Sequence, residues 1–82
     1  MKIKKKFGDK IYLEWVDAYT EDGWKSVEDA LKLSDGVYCF TNAFFLGQNK
    51  DYLMVVHTKG RTSKNDVMGK LTIPKTWIRK VK

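Results

Sequence analysis

The sequence predicts a mainly β protein, a small five-stranded barrel with one short helix after the first strand. Three observations carry that prediction. The chain has 82 residues, room for one domain and one core. Its apolar residues fall in five short runs with strand-like periods, each bounded by turn-forming residues. Only one stretch, beginning at Ser26, carries the chemistry of a helix start. A hydrophobic fraction of 43% with eleven aromatics is ample for a packed core and unlike a disordered chain.

Residues 1–8 have no apolar period and read as a flexible or edge-pairing basic arm. Ile11-Tyr12-Leu13-Glu14-Trp15 then alternates, placing Ile11, Leu13 and Trp15 on one face and Tyr12 and Glu14 on the other, the pattern of a half-buried strand. Thr20-Glu21-Asp22-Gly23 supplies a turn. Ser26 can cap a helix over Val27-Glu28-Asp29, with acids in the first turn favouring the positive end of the dipole. Val27, Ala30 and Leu31 share one helical face, and Ser34-Asp35-Gly36 stops the helix after about two turns. So short a helix needs docking, and the open end of the barrel, with Trp24 as a wedge, is the expected dock.

The second strand, Val37 to Leu46, is apolar on both faces: Val37, Cys39, Ala43 and Phe45 on one, Tyr38, Phe40, Phe44 and Leu46 on the other. Such a strand is either covered on both sides or presents a binding or subunit surface. A loop at 47–51 leads to the third strand, Tyr52 to Thr58. A polar basic loop from Lys59 to Asp66 leads to the fourth, Val67 to Ile73, with Leu71 and Ile73 inward. Pro74 breaks the pattern, and Trp77 to Val81 forms a short fifth strand. Tight corners of this kind, five short strands and one small helix fit a barrel, with a helix packed on an open sheet as the alternative architecture.

Charge is segregated. Residues 14–35 carry seven acids against two bases, a net of −5; the rest carries fourteen bases against three acids, a net of +11 within the total of +6. Bases gather at the N-terminus (Lys2, Lys4, Lys5, Lys6, Lys10), in the loop holding Lys59, Arg61 and Lys64, and at the C-terminus (Lys70, Lys75, Arg79, Lys80, Lys82). A surface of this kind attracts polyanions, or an acidic region of another copy.

Catalytic chemistry is poorly represented. His57 and Cys39 are single, so neither a zinc site nor a supported Cys–His pair is expected, and no metal or cofactor is assigned. Cys39 reads as a small core residue. Asp17 and Asp22 read as turn residues because no further oxygen ligands follow at a cation-binding spacing. Gly60 and Gly69 bracket a basic loop but open no phosphate-binding helix. The basic N-terminus is followed by no apolar signal core, and no apolar run approaches the roughly 18 residues of a membrane span. A cytoplasmic, membrane-free protein is expected.

Trp15-Val16-Asp17-Ala18, Asp22-Gly23-Trp24 and Ile73-Pro74-Lys75 with Ile78 resemble a family of small, mostly uncharacterised proteins encoded by bacteriophages. The spacing of strands two to five resembles Sm-like barrels, in which a central hairpin is followed by a sharp turn and a final edge strand. Ala43 stands where the phage pattern has glycine, and the helix follows the first strand where an Sm protein has it in front. The resemblance implies an SH3-like or Sm-like barrel, phage origin and hence a host cytoplasm. It transfers no catalytic residue.

Taken together, these features predict a non-enzymatic, oligomeric module binding RNA or single-stranded nucleic acid. Lys4, Lys5, Lys6, Tyr38, Lys59, Arg61, Lys64 and Arg79 are the candidate contacts, combining phosphate neutralisation with base stacking. Phe40, Phe44, Trp77 and Ile78 are the candidate subunit interface, where apolar faces and an edge strand could pair with a neighbour. The alternative is a protein-interaction module that binds and modulates a host protein.

Overall fold

In the computed structural model, which describes residues 1–32, 37–61 and 66–82, the chain forms one five-stranded antiparallel sheet. The strands are β1 (Lys10–Val16), β2 (Tyr38–Gln48), β3 (Tyr52–Lys59), β4 (Val67–Pro74) and β5 (Ile78–Val81), and the helix α1 spans Val27–Ala30. Their order across the sheet is β4-β3-β2-β1-β5. The first four strands therefore form a meander, and β5 returns to pair with β1.

That order forces curvature. β4 and β5 lie at opposite edges, which in a flat sheet would stand about 19 Å apart at four strand spacings. Only a three-residue 3₁₀ turn, Lys75–Trp77, joins them. Four residue steps from Pro74 to Ile78 span at most about 14 Å, so the sheet must roll at this end. It does not close, because among the described residues no ladder joins β4 to β5. The chain is mainly β with little helix, and its sheet is rolled and open where a closed or nearly closed barrel was expected. Pro74 sits on an edge strand, where its missing N–H costs no ladder bond.

The inner face holds the core. Leu13, Leu53 and Ile73 are fully buried, with Ile11, Trp15, Phe45, Val55 and Ile78 around them. Their placement follows from strand alternation and register: Leu13 lies opposite Thr41 and Val81, and Leu53 opposite Ile73. Cys39, Ala43, Leu71, Trp77 and Val81 pack at its margin. The indole N–H of Trp15 donates to Thr41 Oγ1 at 3.0 Å, so its one polar atom is satisfied.

Two bulges re-aim side chains. Between β2 and β3, Phe45 pairs with Val55 and Gly47 with Met54, leaving Leu46 as the extra residue. The shift turns Gln48 onto the face of Leu53. There Gln48 accepts the Ile3 N–H at 3.1 Å and donates to the Ile3 carbonyl at 2.7 Å. Lys75, buried, donates to Gln48 Oε1 at 2.8 Å and to the Met1 carbonyl at 3.0 Å. Residues 1–8, expected as a flexible or edge-pairing arm, are joined to β2 at both ends, since Gly8 N–H also donates to the Phe45 carbonyl. Ile3 joins the core. On the other side, a second bulge leaves Arg79 as the extra residue of β5 beside Glu14 and Trp15.

Gly69 occupies a position that only glycine suits. Its φ is +74°, and a Cβ there would lie 1.8 Å from the His57 ring, which fills that space.

The helix departs from expectation. Ser26 caps it as read from the sequence, its Oγ accepting the Asp29 N–H at 3.1 Å. But α1 is a single turn of four residues with none buried. Trp24, expected as a wedge, is as exposed as in an extended chain (104%), and Val27 and Leu31 are exposed as well. No described residue of the helix is buried, so it does not form the packed layer that a helix laid on an open sheet would need.

Candidate functional site

The outer face of the sheet is built from the alternate residues of each strand, and register decides which of them meet. β1 contributes Lys10, Tyr12 and Glu14; β2 contributes Tyr38, Phe40, Asn42 and Phe44. Tyr12 lies opposite Asn42 on one side and exchanges both backbone hydrogen bonds with Lys82 on the other. Glu14 lies between Phe40 and Lys80. Lys10, Phe44, Val56 and Lys70 form a continuous row across four strands. Each row thus joins an aromatic ring to a lysine, with one lysine at an end of the Tyr12 and Glu14 rows and one at each end of the Phe44 row.

Glu14 organises this face. It accepts the Tyr12 hydroxyl at 2.8 Å and the Tyr38 hydroxyl at 2.9 Å, one on each carboxylate oxygen. The hydrogen bonds from Tyr12 and then Tyr38 hold its carboxyl below the usual carboxylate range, with Lys80 and Lys82 adding to the effect. The same bonds raise both tyrosines, because a phenolate would lose its bond to the carboxylate and face its charge. Both rings are therefore fixed in orientation. Tyr38 and Phe40 stand beside one another, centroids 5.5 Å apart at 51°. Phe40 is two-thirds exposed, and the Lys59 ammonium lies 5.9 Å from the Phe44 ring.

A groove of about 340 Å³ runs along this region, lined among others by Lys10, Tyr12, Asn42, Phe44, His57 and Lys82. It offers two ammonium groups, a primary amide and two aromatic rings in one concavity. His57 Nδ1 shares a 2.7 Å hydrogen bond with Thr58 Oγ1. No group of three or more His, Cys, Asp or Glu side chains able to hold a metal occurs among the described residues.

A second groove, of about 350 Å³, lies between the N-terminal segment and β5. Lys2, Lys4 and Lys5 stand on one wall and Arg79, Lys80 and Lys82 on the other, with no acid in the lining. Arg79 donates to the Thr76 carbonyl at 2.8 Å, and Lys5 to the Lys10 carbonyl at 3.0 Å.

The structure thus divides the residues singled out in the sequence. Tyr38, Phe40 and Phe44 share the outer face, and the Lys59 ammonium reaches the Phe44 ring from the end of β3. Lys4, Lys5 and Arg79 belong to the second groove, while the side chain of Lys6 is exposed. Arg61 is exposed beyond the end of β3, and Lys64 lies outside the described residues. Trp77 is half-buried against the core, and Ile78 is buried within it. Sequence reasoning did not single out Tyr12, Asn42, Lys10, Lys70, Lys80 or Lys82 as contacts. Alternation had put Tyr12 on the polar face, but only register brings it against Asn42 and Lys82.

No known family, curated protein or solved structure matches the chain. No helix among the described residues is long and apolar enough to cross a membrane.

Proposed function

We propose that this chain is a non-enzymatic binding module that holds RNA, or another single strand of nucleic acid, on the outer face of its sheet. The observation that carries this reading is the pair of rows in which aromatics lie in line with lysines, Lys82–Tyr12–Asn42 and Lys10–Phe44–Val56–Lys70. Single strands are held by base stacking on aromatic faces together with phosphate neutralisation, and this face offers both within one groove. Phe40 supplies an open stacking surface, Tyr12 and Tyr38 are pre-oriented by Glu14, and Asn42 can hydrogen-bond a base edge. A pI near 9.5 supports the same partner. The Sm-like kinship belongs to this proposal: a sharp corner before a final edge strand, and a rolled sheet whose further closure would give the barrel, support it.

Fluorescence anisotropy with labelled single-stranded RNA and DNA oligonucleotides tests the reading. Phosphate contacts from Lys10, Lys70, Lys80 and Lys82 give a salt slope near −3, so affinity should fall about fiftyfold between 50 and 200 mM salt. Phe40→Ala should weaken binding by roughly 1–3 kcal/mol. Absence of binding to any oligonucleotide at about 50 mM salt overturns the proposal.

A further inference from the structure

Residues 17–32 form an arm that the sheet leaves uncovered. All are exposed, and they include Trp24, Val27 and Leu31, three large apolar side chains. Within the arm, Glu21 pairs with Lys25 and Asp29 with Lys32, both on the surface; Asp22 and Glu28 carry no ion pair among the described residues. The arm holds five acids and two bases, a net of −3, so the rest of the chain carries +9. The molecule's 55 Å long axis exceeds the about 36 Å that an eleven-residue strand such as β2 spans, as a projecting arm requires.

We infer that this arm docks into the groove between the N-terminal segment and β5 of a second copy of the chain, the two copies exchanging arms about a twofold axis. Charge complementarity selects this occupant. The groove has six bases and no acid, while Trp24 stands beside Glu21 and Asp22. A cavity of about 350 Å³ admits an indole. Val81 and Met1 give the ring an apolar seat, and the surrounding ammonium and guanidinium groups can face both its π-surface and the neighbouring carboxylates. Area is sufficient as well: three side chains this exposed present roughly 500 Å² per arm, and two arms with the walls they cover reach the ~1,200–2,000 Å² of a stable interface. Reciprocal exchange leaves no arm and no groove unmatched, whereas one-way docking would leave one of each open at every end. Burial in the partner would also supply the support that a one-turn helix lacks alone.

This inference does not rest on the nucleic-acid reading: Lys82 lines both grooves, but Trp24 is no part of the outer face, so the Trp24 variant lets the two fail separately. Sedimentation equilibrium of the nuclease-treated full chain over a range of concentrations is the test, with tryptophan emission recorded alongside. The expected result is a monomer–dimer equilibrium that weakens with salt, with a blue shift in emission that follows the dimer fraction. Trp24→Ala, at a fully exposed position, leaves the fold intact by circular dichroism and raises the dissociation constant at least about tenfold. Asp22→Lys with Glu28→Lys turns the arm from −3 to +1 and dissociates the dimer, and Lys4→Glu with Lys80→Glu cuts the groove from six charges to a net of two and weakens it. Mixing these two variants restores association, since the unaltered arm of the second then meets the unaltered groove of the first. A monomer at every concentration up to about 1 mM overturns the inference. So does a dimer indifferent to Trp24→Ala, a blue shift independent of concentration (the arm folding onto its own chain), or association that disappears with nuclease.

Discussion

The sheet and the arm use the same kinds of residue to opposite ends. Leu13 in β1 is fully buried, whereas Leu31 just past α1 is exposed; Trp15 is inside and Trp24 outside. Both segments show a period in the sequence, two in β1 and helical around Val27. The difference lies in partners. Each strand finds a neighbour through the ladder, which fixes its register and commits a whole face to the core. A single helical turn brings no ladder and little apolar area, so its period says which residues could be buried together without saying that they are.

The largest test of that contrast compares truncations. Leu53→Ala or Ile73→Ala should cost about 2–5 kcal/mol in urea unfolding, enough to unfold much of a domain this small. Leu31→Ala in the arm should stay within about 0.5 kcal/mol at dilutions where the chain is monomeric. Equal effects at the two sites would mean that the arm packs on the sheet.

Next in size are Gly69 within β4 and Lys75 in the turn that follows it. Gly69→Ala must hold φ at +74° and displace the His57 ring, and is expected to cost about 1–3 kcal/mol. Adding His57→Ala should recover only the part due to the ring, leaving the backbone strain. Lys75→Met keeps the buried stem but leaves the Met1 carbonyl without its donor, at about 1–3 kcal/mol. Its signature is faster hydrogen exchange at the Ile3 amide, since Gln48 loses one of the contacts that hold it in place.

Smaller still is the pH response of the outer face. The Glu14 carboxyl is lowered, so the stability it contributes is full above its ordinary value near pH 4.3 and is lost as pH falls through the lowered one. Tyr12 and Tyr38 are raised, so theirs is full below about pH 10 and is lost as pH rises through the raised values. Between these limits the three side chains stay bonded. Ultraviolet titration of Glu14→Gln should return both tyrosines toward about 10. Unchanged midpoints would show that Glu14 does not hold them.

Much of this architecture is legible in the residues. The alternation of Ile11, Leu13 and Trp15 gives β1 and its inner face, Leu71 and Ile73 point inward as read, Pro74 marks the corner, and Ser26 caps the helix. These are local facts, written by spacing and backbone chemistry. What the residues leave open depends on pairing. The bulge at Leu46 that turns Gln48 inward, the burial of Lys75, and the neighbours of Tyr12 all follow from which residue faces which across a ladder. The candidate face was half visible for the same reason: Tyr38, Phe40, Phe44 and Lys59 stand out by type, whereas Tyr12, Lys10 and Lys82 become part of it only through register.

A ¹⁵N-resolved NMR titration with a single-stranded RNA oligonucleotide, at a dilution where the chain is monomeric, tests the division of labour between sheet face and arm most directly. The account predicts shifts at Lys10, Tyr12, Phe40, Asn42, Phe44 and Lys82 that saturate together, while the Trp24 indole signal stays in place. Shifts centred on Trp24 and the arm, with the outer face silent, would contradict it.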